Sequence, residues 1–415
     1  MPVFRFSRLD FFLTCLGLIS LLLDVALDAW AVVEFFKQQE WVRLGLLVFF
    51  LLGSSLLVQA YSWLWYKYED FERQTRVERA AGRTTLKALH VLQLGTYIRH
   101  MGVVEVAVQN FCFSRGRGMD PGDVAVYLSH DVAMLRIVET FSESVPQLVL
   151  MVTTNIQRGH LDAVTVLKSV GSALAVSFCV TSYHRSLRHF LKDKRKQNKA
   201  SSVVYFLWNL LLIAPRVAAL SLFASVLPCF VIPHFLCSWA LLVFCAWRAK
   251  TSFMDEACGE RLYRATVGLI WYFSWFNVSE GRTLWRTLLY HVFILSDIAL
   301  LCGLWFWKSN PDIRNFNYEH LIAFFCIVFV YVLGLLLKTF YYHCFHPNVT
   351  KDELKTEEPF MELQAEEVCI GSVRDVRTKD FADETDMVEF RSAPAPPASI
   401  KVNKRMMKLA NNFYS

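Results

Sequence analysis

The chain has 415 residues, of which 54% are hydrophobic and 19% charged, and its formal net charge is +6. Several apolar runs are long enough to cross the hydrocarbon core of a bilayer, which takes about 20 helical residues. This composition predicts an all-α, polytopic membrane protein and excludes a single soluble domain. Basic residues cluster between the apolar runs, which is typical of membrane topology and does not indicate nucleic-acid binding.

Seven apolar runs predict membrane-spanning helices. They are residues 9–33, 43–66, 161–183, 203–227, 231–249, 287–307 and 319–343. Residues 123–156 are apolar enough for an eighth span, kinked at Pro146 because proline removes a helical hydrogen-bond donor. Residues 86–108 and 263–281 are also apolar, but Gly, His, Asn and charged residues interrupt them. These two stretches either span the membrane or re-enter it from one side.

The distribution of Lys and Arg favours eight transmembrane helices plus two re-entrant segments, with both termini in the cytosol. In this arrangement most loop Lys and Arg lie on the cytoplasmic side, as the positive-inside rule requires. If both interrupted stretches spanned, the basic loop at residues 185–199 would lie outside, unless residues 123–156 crossed twice. The favoured arrangement predicts two pseudo-symmetric halves, residues 1–200 and 201–349, each with two spans, a re-entrant segment and two spans.

Residues 350–415 form a charged tail, poor in long apolar runs, which we expect to be cytosolic. Near its end the apolar residues approximate one stripe of a helix, with Lys and Arg opposite. The stripe includes Ile400, Val402, Met406, Leu409 and Phe413. We expect this short amphipathic helix to bind either the membrane surface or another part of the same protein.

Charged side chains inside the apolar runs are the candidate functional residues. They are Asp24, Asp28, Arg136, Glu139, Glu143, Arg216 and Asp297. Each costs about 2.5–3.5 kcal/mol at the bilayer centre, so all should face the bundle or water and find partners. Spacings of four residues place each of the two acidic pairs on one helix face. Because five acids outnumber two bases, we expect a polar path; the alternative is a set of salt bridges that orients helices.

Motifs for catalysis or energy coupling do not occur in this sequence. It has no G-x-x-x-x-G-K-[ST] loop for nucleotide-powered transport, no C-x-x-C pair, and no Ser/His/Asp or Cys/His arrangement at an interpretable spacing. The pair His343-x-x-His346 follows the last span in an aromatic-rich stretch, which is typical of interface residues and not of a metal site. We therefore expect no enzyme activity, no cofactor and no metal, and any transport would run downhill.

Four long stretches of the chain resemble the XK-related family. They are "MLRIVETFSESVPQL" (134–148), "SSVVYFLWNLLLIAPR" (201–216), "LYRATVGLIWYFSWFNVSEGRT" (262–283) and "KRMMKLANNFY" (404–414). The resemblance implies an ATP-independent phospholipid scramblase of the plasma membrane, activated by a caspase, that exposes phosphatidylserine on apoptotic cells. It implies the fold with eight spans and two re-entrant segments, and a lipid path formed by the membrane charges.

The same resemblance implies the partners. The lipids are phosphatidylserine, phosphatidylcholine and phosphatidylethanolamine, an effector caspase acts on the tail, and basigin or neuroplastin serves as a single-span partner. An acid-rich path should repel phosphatidylserine. Three explanations are open: Arg136 and Arg216 offset the negative charge of the path, some of the carboxyl groups are protonated, or the acids serve the helix scaffold.

The tail carries a D-x-x-D motif of the kind that effector caspases prefer. It comprises Asp383 to Asp386, with Asp386 as the residue cut after; Met387 departs from the pattern, because a small residue usually follows the cut. Cleavage would release residues 387–415 with the amphipathic helix, which predicts autoinhibition; a surface helix without a regulatory role is the alternative. A secondary transporter or channel for a small polar solute, and a non-transporting scaffold, are the competing functions.

Overall fold

The computed structural model describes residues 8–69, 75–112, 121–159, 163–190, 198–251, 253–254, 256–278, 284–310 and 318–345, and within these residues every regular element is helical. The helices are α1 (Arg8–Lys37), α2 (Trp41–Tyr68), α3 (Arg76–Ala80), α4 (Arg83–Val91), α5 (Gly95–Cys112), α6 (Pro121–Glu139), α7 (Val145–Arg158), α8 (Ala163–Phe190), α9 (Lys199–Val226), α10 (Pro228–Arg248), α11 (Ala257–Phe273), α12 (Leu284–Ser309) and α13 (Tyr318–Cys344). A π-helical turn, Thr140–Ser144, joins α6 to α7.

Seven of the described helices are long and apolar enough to cross a membrane: α1, α2, α8, α9, α10, α12 and α13. They coincide with the seven apolar runs of the sequence, because in hydrocarbon only a continuous helix satisfies every backbone N–H and C=O of a span. The all-α, polytopic membrane fold is therefore confirmed. The exact number of spans and the division into halves at residue 200 stay predictions.

The predicted eighth span, residues 123–156, consists of α6, the π-helical turn and α7. Proline was expected to kink it. Pro146 lies in the first turn of α7, where a missing N–H costs little, and the departure from α-helical hydrogen bonding comes before it, at Thr140–Ser144. The π-helical turn adds a residue to one helical turn and so changes which side chains of α7 face the neighbours of α6.

The two interrupted stretches are broken helices. Residues 86–108 cover the end of α4, a turn in which Gln93 has a positive φ of 63°, and most of α5. Residues 263–281 cover most of α11, which ends at Phe273 in extended backbone. Both shapes suit segments that enter a membrane and turn back, and re-entry stays a prediction.

The core is built around α9, which packs against α7, α8, α10, α11, α12 and α13. Gly334 of α13 permits a close approach to α9, because a Cβ there would lie 3.0 Å from the Leu211 carbonyl carbon and 2.8 Å from the Leu212 side chain. By contrast, only 6% of the most apolar window of α1 is buried. Helix α1 therefore lies at the edge of the bundle, against α2, α5 and α8.

Candidate functional site

Two cavities lie along the line where α1 faces α8. The first, the Arg185 cavity, has a volume of about 120 Å³. A water molecule needs roughly 10–15 Å³ on this measure, so several fit. Its polar lining residues are Thr14, Ser20, His100, Ser129, Arg136, Ser182, Arg185 and Ser186, and the described lining includes no carboxylate. This cavity therefore combines two guanidinium groups with a set of hydroxyls.

The second cavity, the Lys168 cavity, continues from the first and has a volume of about 50 Å³. Arg136 and Ala175 line both cavities, so they mark the junction between them. The polar and aromatic lining residues are Asp24, Asp28, Trp30, Arg136, Thr140, Ser144, Gln147, Lys168 and Ser172. This end of the line thus offers groups of both charges beside an aromatic ring.

Together the two cavities form a groove with polar and apolar lining, the α1–α8 groove, that runs most of the way across the bundle. Its cations lie at three depths: Lys168 near the start of α8, Arg136 at the junction, and Arg185 near the end of α8. At a rise of 1.5 Å per residue, the 17 residues from Lys168 to Arg185 cover about 25 Å. A hydrocarbon core is about 30 Å thick, so the groove nearly matches it.

Arg136 ties α1 to the bundle at the centre of this groove. Its Nη2 donates to Oδ2 of Asp24 at 3.2 Å, and its Nη1 donates to Oε2 of Glu139 at 2.8 Å. The Arg136 side chain is only 13% exposed, so both ion pairs are partly desolvated and stronger than surface pairs. One guanidinium group therefore serves two of the five predicted acids.

A third cavity, the Glu143 cavity, lies on the other side of α1, towards α2 and α5, and has a volume of about 170 Å³. Asp28, Glu139 and Glu143 line it. The described lining of this cavity includes no Lys or Arg. Helix α1 therefore separates a mixed-charge groove from an acidic cavity.

The remaining predicted charges, Arg216 and Asp297, lie apart from all three cavities. The Arg216 side chain is fully buried, its Nη1 donates to Asp297, and its Nε donates to the Tyr272 carbonyl at 3.0 Å. His234 Nε2 lies 3.0 Å from the other oxygen of Asp297. This cluster connects α9, α10, α11 and α12, so it fits the reading in which ion pairs orient helices. No pattern in the sequence distinguishes Arg216 and Asp297 from the charged residues that line the groove.

Reasoning from sequence missed several polar residues that the structure places inside the bundle. Arg99 and Asp131 form a buried ion pair at 3.2 Å, and Arg99 also donates to Ser62. Lys168 was counted only as part of an apolar span. A Lys or Arg inside an apolar run is the sequence signal that marks such residues. This signal applies to Arg99 and Lys168 as it does to Arg136 and Arg216. Within the described ranges, no group of three or more His, Cys, Asp or Glu side chains could hold a metal ion.

A family model described as XK-related protein matches residues 12–347. The chain belongs to the XK-related family. It is 39% identical over 418 residues to XK-related protein 8 from Tetraodon nigroviridis, covering 100% of this chain and 98% of the relative. It is 42% identical over 356 residues to XK-related protein 8 from Gasterosteus aculeatus, covering 83% and 86%. It is 36% identical over 341 residues to XK-related protein 8 from Pan troglodytes, covering 82% of this chain and 84% of the relative.

These matches confirm the XK-related membership that the four sequence stretches predicted. The match to the Tetraodon protein extends over the tail as well as the helices. The predicted cleavage residues and the predicted amphipathic helix lie outside the described residues. They are Asp383, Asp386 and Met387, and Ile400, Val402, Met406, Leu409 and Phe413.

Proposed function

We propose that this XK-related chain is a phospholipid scramblase that exposes phosphatidylserine on apoptotic cells without ATP, after a caspase removes its tail. The α1–α8 groove carries this proposal, because it supplies polar groups over about 25 Å beside a helix that the bundle hardly buries. Lipid head groups move along the groove while the acyl chains stay in the surrounding hydrocarbon.

The groove lowers the main barrier to lipid exchange, which is the loss of hydration by a charged head group. An unpaired charge in a low-dielectric medium costs many kcal/mol. Arg185, Arg136 and Lys168 offer successive partners for the phosphate, and the hydroxyls between them accept and donate hydrogen bonds. Because cations recur along the groove and every phospholipid carries a phosphate, we expect weak selectivity between lipids.

The charge balance of the groove argues against strong repulsion of phosphatidylserine. The cations Arg185, Arg136 and Lys168 line it together with two carboxylates, those of Asp24 and Asp28. The two glutamates line the cavity on the other side of α1. The passage is therefore not acidic overall, and an anionic head group meets at least as many cations as acids.

The place where α13 ends supports gating by proteolysis. Nη1 of Arg188, in the last turn of α8, donates to the Tyr341 hydroxyl at 3.3 Å. Because α13 ends at Cys344, shortly after Tyr341, it ends on the same side of the bundle as the Arg185 cavity. We propose that the stripe from Ile400 to Phe413 closes this end in the intact protein, and that cleavage after Asp386 opens it.

The proposal includes a location and partners. The chain lies in the plasma membrane with both termini in the cytosol, so that an effector caspase reaches the tail. Basigin or neuroplastin accompanies it as a single-span partner. The exposed apolar surface of the spanning helices, for example Phe325, Phe329 and Leu336 of α13, suits contact with lipid or with a partner helix.

Flux of fluorescent lipids in reconstituted vesicles tests this function. We expect slow dithionite quenching of inner-leaflet lipid with intact protein, fast quenching after caspase treatment, and slow quenching with caspase-treated Asp386→Ala. Equal flux in all three samples would contradict gating. Uptake of a small solute without lipid flux would favour the transporter or channel.

A further inference from the structure

The π-helical turn between α6 and α7 changes which of their residues share a face. At its end the Val145 N–H donates to the carbonyl of Thr140, five residues back, where an α-helix would use the carbonyl of Phe141. Two turns of an α-helix take about seven residues, and a π-helical turn adds one. Two turns that include this element therefore take about eight residues.

The residues that line the cavities follow this longer spacing. Ser144 lies eight residues after Arg136, and both line the Lys168 cavity. Glu143 lies seven residues after Arg136, the position that a continuous α-helix would place on the same face. Glu143 instead lines the Glu143 cavity and is not part of the described lining of the groove. The turn therefore puts a hydroxyl into the groove where an α-helix would put a carboxylate.

Both the local sequence and contacts with neighbouring helices hold this turn. A continuous α-helix would bring the ring of Pro146 against the carbonyl of Ser142, four residues back. The Ser142 hydroxyl lies 2.8 Å from the hydroxyl of Ser54 on α2, and the Thr140 hydroxyl lies 3.2 Å from Sγ of Cys179 on α8. Proline thus disfavours the α-helical alternative, and the contacts with α2 and α8 fix the π-helical one.

We propose that the π-helical turn determines which lipids the groove accepts, because it keeps the Glu143 carboxylate out of the groove and so lets anionic head groups pass. Pro146 is a positioning residue that acts through the turn. The inference rests on the proposed function, since it concerns the lipids that move along the α1–α8 groove.

The charge balance at this point of the groove makes the exchange of side chains matter. The described lining of the Lys168 cavity holds two cations, Arg136 and Lys168, and two carboxylates, Asp24 and Asp28. A third carboxylate in a cavity of about 50 Å³ would leave an excess of negative charge. That excess would repel a serine head group, which has a net negative charge, far more than a choline head group, whose charges cancel.

The test compares fluxes of fluorescent phosphatidylserine and phosphatidylcholine through caspase-treated full-length protein in the same vesicles. Ser144→Glu puts a carboxylate into the groove, and Ser144→Gln is its matched control of the same shape without the charge. Ser144→Glu should lower the ratio of serine to choline lipid flux about three- to tenfold relative to Ser144→Gln. Loss of folded protein lowers both fluxes and leaves their ratio unchanged.

Two further variants test the position of Glu143. Glu143→Gln alone should leave the flux ratio unchanged, because the side chain lines the other cavity. Pro146→Ala permits the continuous α-helix, so it should lower the ratio, and adding Glu143→Gln to it should restore the ratio. A purely structural role of Pro146 would not give this rescue.

Equal flux ratios in Ser144→Glu and Ser144→Gln would overturn the inference, as would a higher ratio in Glu143→Gln alone. An unchanged ratio in Pro146→Ala would overturn the role of Pro146. Each of these results leaves the scramblase proposal intact. Absence of lipid flux in the unsubstituted, cleaved protein instead overturns the scramblase proposal itself.

Discussion

Removing the Asp297 carboxylate should destabilise the bundle severely, because it leaves the guanidinium of Arg216 buried without its counter-charge. The Arg216 side chain is fully buried and that of Asp297 is 10% exposed. Breaking such a buried pair costs about 3–5 kcal/mol. At about 2 °C per kcal/mol, Asp297→Asn should lower the apparent melting temperature by about 6–10 °C.

A matched control exists in the exposed ion pair between Lys67 and Glu256. Its N–O distance is 2.7 Å, but its side chains are 56% and 55% exposed. Exposed pairs contribute about 0.2–1 kcal/mol, so Glu256→Gln should shift the melting temperature by no more than about 2 °C. Replacing Arg216 and Asp297 together with leucine should cost less than removing Asp297 alone, since no unpaired charge remains.

Fluorescence-detected size-exclusion chromatography after heating, on detergent-solubilised protein, measures these shifts. If Asp297→Asn and Glu256→Gln melt at the same temperature, burial does not set the strength of the Asp297 pair. The pair would then have no scaffold role, and its place in a polar path would have to be reconsidered.

Three other perturbations have defined outcomes. Gly334→Ala should destabilise the protein by about 1–3 kcal/mol, whereas Gly303→Ala, whose Cβ meets nothing within 4 Å, should not; heated gel filtration separates them. Arg136→Gln removes both ion pairs at α1, so amide hydrogen exchange in α1 should accelerate while exchange in α9 stays unchanged. Partial burial raises the pKa of Glu40, but hydrogen bonds from two arginines, one of them Arg158, outweigh it and hold that pKa below its ordinary value. The stability that Glu40 adds to the α1–α2 turn is therefore present at neutral pH and lost as pH falls below the ordinary pKa of a glutamate. Hydrogen exchange of this turn should lack that pH dependence in Glu40→Gln.

The membrane fold was predictable from sequence because a spanning helix must be long, continuous and apolar, and all of these properties are local. Helical spacing likewise predicted which acids share a face. Asp24 and Asp28 both line the Lys168 cavity, and Glu139 and Glu143 both line the Glu143 cavity. The π-helical turn between α6 and α7 was not predictable, since it depends on how this helix meets its neighbours.

Pairing between helices could not be read from the sequence. Arg216 and Asp297 are 81 residues apart, and no local pattern indicates that they meet. The same applies to Lys168 near the start of α8, which has no charged residue within one helical turn of it in the sequence, yet meets Trp30 of α1. Counting acids and bases predicted unpaired charge in the membrane. The packing of α1 distributes the acids between the groove and the Glu143 cavity, and Asp28 lines both.

Blocking the groove at the junction of its two cavities tests most directly whether lipids move along it. Ala175 lines both the Arg185 and the Lys168 cavities. The preceding residue, Leu174, is 40% exposed on the surface of the same helix. In caspase-treated vesicles we expect Ala175→Trp to abolish dithionite-accessible lipid exchange and Leu174→Trp to leave it near the unsubstituted rate. Undiminished lipid exchange in a folded Ala175→Trp protein would contradict passage through the α1–α8 groove.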